Sequence, residues 1–448
     1  MRRGSRKTAA FAAAAGTAWG VAACAVAGWG MAGWGGSALA QTAAEDSVAR
    51  RSRPDYDPIG IELDEMLGAI GLVGKKEIEQ KSSPLSSFVV FPTFGITTDY
   101  VSNLFLASGN EVSDKRVTYS PALSIQSDWG RHSFALVGNA NIGRHVETAK
   151  EDFEDWQLQA NGTVEIHDDK KVSLVAGFAR RHSGRNAEDD PGQQFEPIVS
   201  ENLFIDGTAE YNADAVLLRF RAQVEDQDYL NSPGLNNDSR DVTVVNLTFR
   251  AGYEFAPGTT FFVEPRADFR MFALSTDSAG LKQDNQGMGA LAGITWDLTG
   301  VTFAEFGVGF SRRSYEEPSF NSPVNLDFSG KLIWNVTDLL TLSGDLGRTT
   351  QESTTAGESG VLSTSFTARL DYEFLDNIVI TAGGAVTQSN NQESARRDKD
   401  YSLDTGVTYL VNEYWVARLA VTRSMRRSNI EDKDYDNLAA GFTLTARL

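Results

Sequence analysis

Side chains able to bind metals or relay protons near neutrality are few. The chain has four histidines, His132, His145, His167 and His182, and one cysteine, Cys24. No two histidines have the His-x-x-x-His spacing of a helical metal site, and no thiol lies near them, so neither a metal centre nor a cofactor is expected. A Ser-His-acid arrangement is the other chemistry that these residue types allow. Its candidates are His145 and His182, with Asp152 and Glu188 nearby in sequence; nothing marks a nucleophile, and the chain does not read as an enzyme. The glycines from Gly287 to Gly293 lack the strand-to-helix turn of a phosphate cradle.

A second set of reactive groups is regular where the first is scattered. Arg219, Arg221, Arg250, Glu264, Arg266, Asp268, Arg270, Asp327, Lys331, Asp345, Arg369, Asp371, Asp404 and Arg418 each sit between apolar or small neighbours in a two-residue alternation. A period of two is the signature of a strand with two unlike faces. In the longest run, Leu362, Thr364, Phe366, Ala368, Leu370, Tyr372 and Phe374 share one face, and Ser363, Ser365, Thr367, Arg369, Asp371 and Glu373 the other. Phe261, Val263, Ala267, Phe269 and Met271 alternate in the same way with Glu264, Arg266, Asp268 and Arg270.

The strands that must carry these residues are punctuated by turns of two kinds. Tight turn signals centre on Gly130, Asp169, Ala213, Pro257, Thr299, Thr337, Asp376 and Asn412, roughly 40 residues apart. Between them lie longer polar connections, such as Gly184 to Val199, Asn231 to Arg240, Ser275 to Asp284 and Asn390 to Asp400. Eight tight turns and nine long connections require eighteen strands, with sixteen as the near alternative if the first pair is misassigned. A propeller would also suit the period, but each repeat here holds only two long strands and one loop.

Short turns at one end, long loops at the other and two-faced strands describe a closed antiparallel transmembrane β-barrel. Lipid offers no hydrogen bonds, so the sheet must close on itself. Its apolar faces would meet acyl chains and its polar faces a watery lumen, which accounts for a mean hydropathy of −0.28. A charge on the lipid face at mid-bilayer costs about 2–4 kcal/mol, so the alternating charges are expected to point inward. Arg219, Arg221, Arg250, Glu264, Arg266, Asp268, Arg270, Lys331, Arg369, Asp371 and Arg418 are the expected pore lining, with Glu264, Arg266, Asp268 and Arg270 as its central group. The alternative is that inward charges merely pair and fill a lumen that conducts little. Trp129, Tyr211, Tyr253, Trp296, Trp334, Tyr372, Tyr409 and Trp415, all near tight turns, are expected to form one interfacial belt, and Trp156, Phe272, Tyr315 and Tyr401 the other.

Composition sets the surroundings. With 41 basic and 60 acidic side chains, the formal charge of −19 argues against a nucleic-acid partner. Arg2, Arg3, Arg6 and Lys7, an Ala- and Gly-rich stretch from Phe11 to Trp34, and Ala38-Leu39-Ala40 make residues 1–40 a signal peptide with Ala40 at the cleavage junction. An uncleaved anchor and a lipoprotein signal at Cys24 are the alternatives. Residues 41–86 differ in composition and read as a periplasmic tail or a segment partly occupying the lumen, and residues 87–448 as the barrel. The terminal alternation Ala440, Phe442, Leu444, Ala446, Leu448 suits a last strand offered to the barrel-assembly machinery. Acidic runs such as Glu188-Asp189-Asp190 and Glu431-Asp432 read as solvated loops, with loose cation bridging to lipopolysaccharide in the outer-membrane lipid as the sharper alternative.

Several stretches also carry a family likeness. Arg53-Pro54-Asp55-Tyr56-Asp57-Pro58-Ile59-Gly60-Ile61, Ser127-Asp128-Trp129-Gly130-Arg131-His132, Gly252-Tyr253-Glu254-Phe255-Ala256-Pro257-Gly258, Trp296-Asp297-Leu298-Thr299-Gly300-Val301 and Ser359-Gly360-Val361-Leu362-Ser363-Thr364 resemble the putative β-barrel porin family, second type, of Gram-negative bacteria. The resemblance implies an outer-membrane barrel, often described as a porin and sometimes linked with exopolysaccharide export. Two functions are therefore expected as rivals: a channel for passive diffusion of small hydrophilic solutes, and an outer-membrane component of polysaccharide export or anchoring with export proteins as partners.

Overall fold

The computed structural model describes residues 87–447, apart from 186–193, 278, 299–300 and 353–358. The expected signal peptide with its Ala40 junction, the segment 41–86 and Glu188 lie outside the described residues. Eighteen strands make up nearly everything else: β1 (Phe88–Val101), β2 (Asp114–Ser127), β3 (Ser133–His145), β4 (Phe153–His167), β5 (Lys170–His182), β6 (Val199–Ala213), β7 (Val216–Tyr229), β8 (Val242–Ala256), β9 (Thr259–Phe272), β10 (Asn285–Leu298), β11 (Thr302–Tyr315), β12 (Val324–Thr337), β13 (Leu340–Glu352), β14 (Gly360–Leu375), β15 (Ile378–Asn391), β16 (Arg397–Asn412), β17 (Trp415–Ser428) and β18 (Tyr435–Arg447).

Each strand pairs antiparallel with its sequence neighbours, and β18 pairs with β1 from Thr93↔Arg447 to Val101↔Ala439, closing the sheet. Closure leaves no bare edge, which is what a bilayer demands of a sheet. The strands run 13 to 16 residues. At about 3.3 Å per residue and a tilt near 40°, that length crosses a hydrocarbon core of about 30 Å.

The two rims differ as the turn chemistry requires. Two-residue turns such as Asp168–Asp169, Asp214–Ala215, Pro257–Gly258 and Asp376–Asn377 close one rim. Gly258 has φ +70°, and a Cβ there would sit 2.4 Å from the carbonyl oxygen of Asp297 on the next hairpin, so the position excludes any side chain. The other rim carries the long connections. One is shorter than its polarity suggested: Asn390 to Asp400 is largely strand, because β15 and β16 stay paired as far as Asn390↔Arg397. Polarity does not end the strands there, and pairing continues through it.

Packing is inverted relative to a soluble fold. Phe310, Met288, Phe366 and Leu419 are all more than half exposed on the convex face, while the largest fully buried side chain, Phe262, points inward from β9. Tyr253, Trp296, Trp334, Tyr372, Tyr409 and Trp415 line the convex face beside the tight turns. The other belt is corrected in part. Trp156 and Tyr401 face outward, but Phe272 and Tyr315 lie on the concave side, opposite Val242 and Asn285. Their places at strand ends fit a belt, and their parity does not.

Candidate functional site on the concave wall

All fourteen alternating charges share one face of the sheet, and contacts between non-adjacent strands identify it as the concave one. Arg250 on β8 spans to Glu305 on β11, donating from Nη1 to Oε2 at 2.8 Å and from Nη2 to Oε1 at 2.9 Å. Only a chord through the interior joins strands so far apart. The same guanidinium meets Glu264 at 2.5 Å and lies 4.1 Å from the centroid of the Phe262 ring. A fork of donors facing two carboxylates, with an aromatic face against it, is a geometry for which arginine is suited and lysine is not.

The expected central group is not a cluster of its own. Three members reach other strands: Glu264 bonds Arg250 on β8, Arg266 pairs with Asp327 on β12, and Asp268 pairs with Arg313 on β11 at 2.7 Å, while Arg270 lies 3.9 Å from Asp268 on their own strand. Side chains two apart on one strand are about 7 Å apart along it, and the concave curvature lets long arginine side chains reach carboxylates two or three strands away instead.

The other expected residues join the same wall. Arg219 meets Glu210 at 2.9 Å, and Lys171 meets the other oxygen of that carboxylate at 2.7 Å. Arg221 holds Asp206 at 2.5 Å, and Arg369 holds Asp371 at 2.8 Å. Arg219 stands directly opposite Arg250, and this like-charged pair is tolerated because each guanidinium has its own carboxylates. Lys331 lies between Glu305 and Asp345 in direct register. Arg418 lies opposite Thr408 and Thr443, near the seam of the barrel.

Glu305, Arg313, Asp206 and Glu210 escaped notice in the sequence. Each alternates with outward neighbours as the chosen residues do, so parity alone could have found them. What it could not give is which carboxylate serves which arginine.

Near the long-loop rim, the concave wall is partly roofed. Asp114 on β2 accepts from the backbone amides of Glu147 and Thr148 at 3.1 and 3.0 Å, tying the β3–β4 connection down. Arg185 and Glu151 form a buried pair at 2.6 Å, and Arg185 also donates to the carbonyl of Phe195 at 2.7 Å. Lys150 and Arg185 both lie against the ring of Phe105, so three connections meet at one point. His145 and His182 do come together here, on either side of Phe153: His182 stacks on that ring at 4.1 Å and binds Asp155 at 2.8 Å, while His145 lies 3.6 Å from Asp152. No hydroxyl is hydrogen-bonded to either ring among the described residues, nor does any group of three His, Cys, Asp or Glu there have the arrangement of a metal site. His132 accepts from the Glu165 amide, and His167 binds Asp169 at the opposite rim.

A wall of paired charges, half wetted and fixed on a rigid sheet, can orient water and polar solutes and exclude apolar ones. Among solved structures, the chain is similar to Pseudomonas aeruginosa OpdK with vanillate, at 10% identity over 80% of this chain and 99% of that one, with a TM-score of 0.44. It is similar to P. aeruginosa OpdF at 11% identity over 80% and 98%, with a TM-score of 0.45. The FrpB iron transporter from Neisseria meningitidis matches at 11% identity and a TM-score of 0.43 over 76% of this chain; the chain spans 63% of that protein's length. No curated protein sequence matches the chain. Residues 79–448 match the family described as putative beta-barrel porin 2, leaving only the Arg53–Ile61 stretch of the motifs above outside the match. The chain belongs to that family.

Proposed function

We propose that this porin-family barrel is an outer-membrane channel for passive diffusion of small hydrophilic solutes, with the tight-turn rim in the periplasm and the long loops outside. The observation that supports it most is the division of the sheet into an apolar convex face and a concave face of paired charges. The strand number supports this reading, since membrane barrels of eighteen strands form aqueous channels. The roof over β1 to β6 narrows the outer mouth on one side, so solutes pass mainly along the wall of β7 to β17, where Arg219, Arg221, Arg250, Arg266, Lys331, Arg369 and their carboxylates set a transverse field. The lumen therefore selects for polarity and size before sign, because its charges are largely matched. The His–Asp contacts at the roof support a positioning role for these side chains. The test is single-channel recording in a planar bilayer with the purified full-length protein. Ohmic steps on the nanosiemens scale are expected. A silent barrel that co-purifies with polysaccharide-export proteins would replace this reading with the export or anchoring one.

A further inference from the structure

The convex face is not uniformly apolar, and its charges near the long-loop rim are unevenly satisfied. On one side of the barrel they pair: Arg144 with Glu154, and Arg180 with Glu201 at 3.2 Å. On β16 and β17 an opposed pair of cations is not matched in this way. Lys399 of β16 stands in direct register with Arg427 of β17, both pointing outward and both exposed. Arg397 lies one pleat nearer the rim on the same face. Among the described residues no carboxylate lies within ion-pair distance of Arg397 or Lys399. Among the described residues Arg427 has one ion-pair contact, Asp434 at 3.7 Å, with both side chains about half exposed, and it donates to the Arg426 carbonyl at 3.4 Å. Like charges directly opposite one another destabilise a strand pair, so this register is costly unless an anion lies between them. Gln388 and Asn390, opposite Lys399 and Arg397, add amide groups to the same patch.

Beside the patch and toward mid-barrel, the preceding strands form a trough. Gly344, Ala368 and Gly384 are consecutive cross-strand neighbours on β13, β14 and β15, all facing outward. The row of larger side chains beside them, Leu346, Phe366 and Val386, makes its wall. Followed in register, the row climbs toward the long-loop rim to Leu403 on β16, which stands proud at the end of the trough, and then to Arg423 on β17, two pleats below Arg427. Arg423 is itself paired with Asp436 at 2.6 Å.

We infer that this face is a docking site for a phosphorylated lipid of the leaflet around the long-loop rim, its phosphate held by Arg397, Lys399 and Arg427 and an acyl chain lying in the Gly344–Ala368–Gly384 trough. A phosphate supplies the anion that the opposed cations lack, and its oxygens accept several charge-assisted hydrogen bonds at once. The interfacial depth lets long cationic side chains reach headgroups while their stems stay in hydrocarbon. The inference rests on the barrel standing in a bilayer, and is independent of what crosses the lumen.

Native mass spectrometry of the full-length protein in neutral detergent tests it, with diphosphorylated lipid A as the probe. The arms are the same lipid stripped of phosphate, and inorganic phosphate alone. The wild-type chain is expected to keep one lipid A, and K399Q/R427Q to bind at least about tenfold more weakly. R144Q/R180Q removes the same charge from the paired side and is expected to bind as wild type. Equal binding by the two double variants, equal binding of the dephosphorylated lipid, or saturation of the site by inorganic phosphate would each overturn it. Lys399→Gln alone gives a second reading from a minimally altered barrel: it relieves the opposed charges, so its thermal midpoint should rise in neutral detergent and fall relative to wild type when lipid A is added. A rise in both conditions would sink the proposal. Channel conductance is not among these readouts, so failure here leaves the diffusion reading standing.

Discussion

Arginine 250 shows why identity matters along the concave wall. It serves two carboxylates and an aromatic ring, and Glu264 is almost entirely buried beneath it. Arg250→Met is expected to destabilise the barrel by about 3 kcal/mol, the low end for breaking a buried ion pair, because lumen water still reaches Glu305. Urea unfolding in phospholipid vesicles measures it, and a loss under about 1 kcal/mol would show the network to be solvated instead. The Arg266–Asp327 pair makes a functional prediction of the same kind. Arg266→Ala leaves a carboxylate facing the lumen and should move the reversal potential in a salt gradient toward cation selectivity; Asp327→Ala should move it the other way. No shift in either variant would place this pair away from the conducting path.

A strand carries two environments at once, and its parity decides which residue meets which. Phe366 and Thr367 are adjacent on β14 and face opposite media. Phe366→Arg is expected to cost about 2–4 kcal/mol, since it puts a cation in mid-bilayer hydrocarbon. Thr367→Arg, beside Asp345 in the lumen, should cost about 0.5 kcal/mol or less. Comparing the two unfolding curves checks the face assignment directly, and equal costs would contradict it. Parity also explains what the alternation conveyed and where it misled. It placed Arg369 and Asp371 inside together, correctly on one face, because spacing by two is a property of the chain itself. It also sets Phe272 and Tyr315 on the concave side, although their aromatic character and places at strand ends suit an interfacial belt.

Closure is the property that belongs to the whole molecule. The β1–β18 ladder joins residues more than 300 positions apart, as in the contact of the Thr97 and Thr443 hydroxyls at 2.9 Å. Removing residues 435–448 would bare the edges of β1 and β17 together, and the truncated chain is expected to yield no heat-modifiable, protease-resistant barrel in vesicles; a folded product of normal resistance would show that the seam is dispensable. The strand count, the two-faced strands and the asymmetry of the rims were all written in the order of residues, because period and turn chemistry are local and each needs only a few neighbours to operate. The pairing of Arg250 with Glu305, the reach of Glu264, Arg266 and Asp268 to three different strands, and the meeting of His145 and His182 across Phe153 were decided by the curved sheet, while the confrontation of Lys399 with Arg427 follows from the β16–β17 register and its bulge at Leu410/Asn412. Curvature and register bring together side chains that the sequence holds tens of residues apart, and no local pattern encodes that distance.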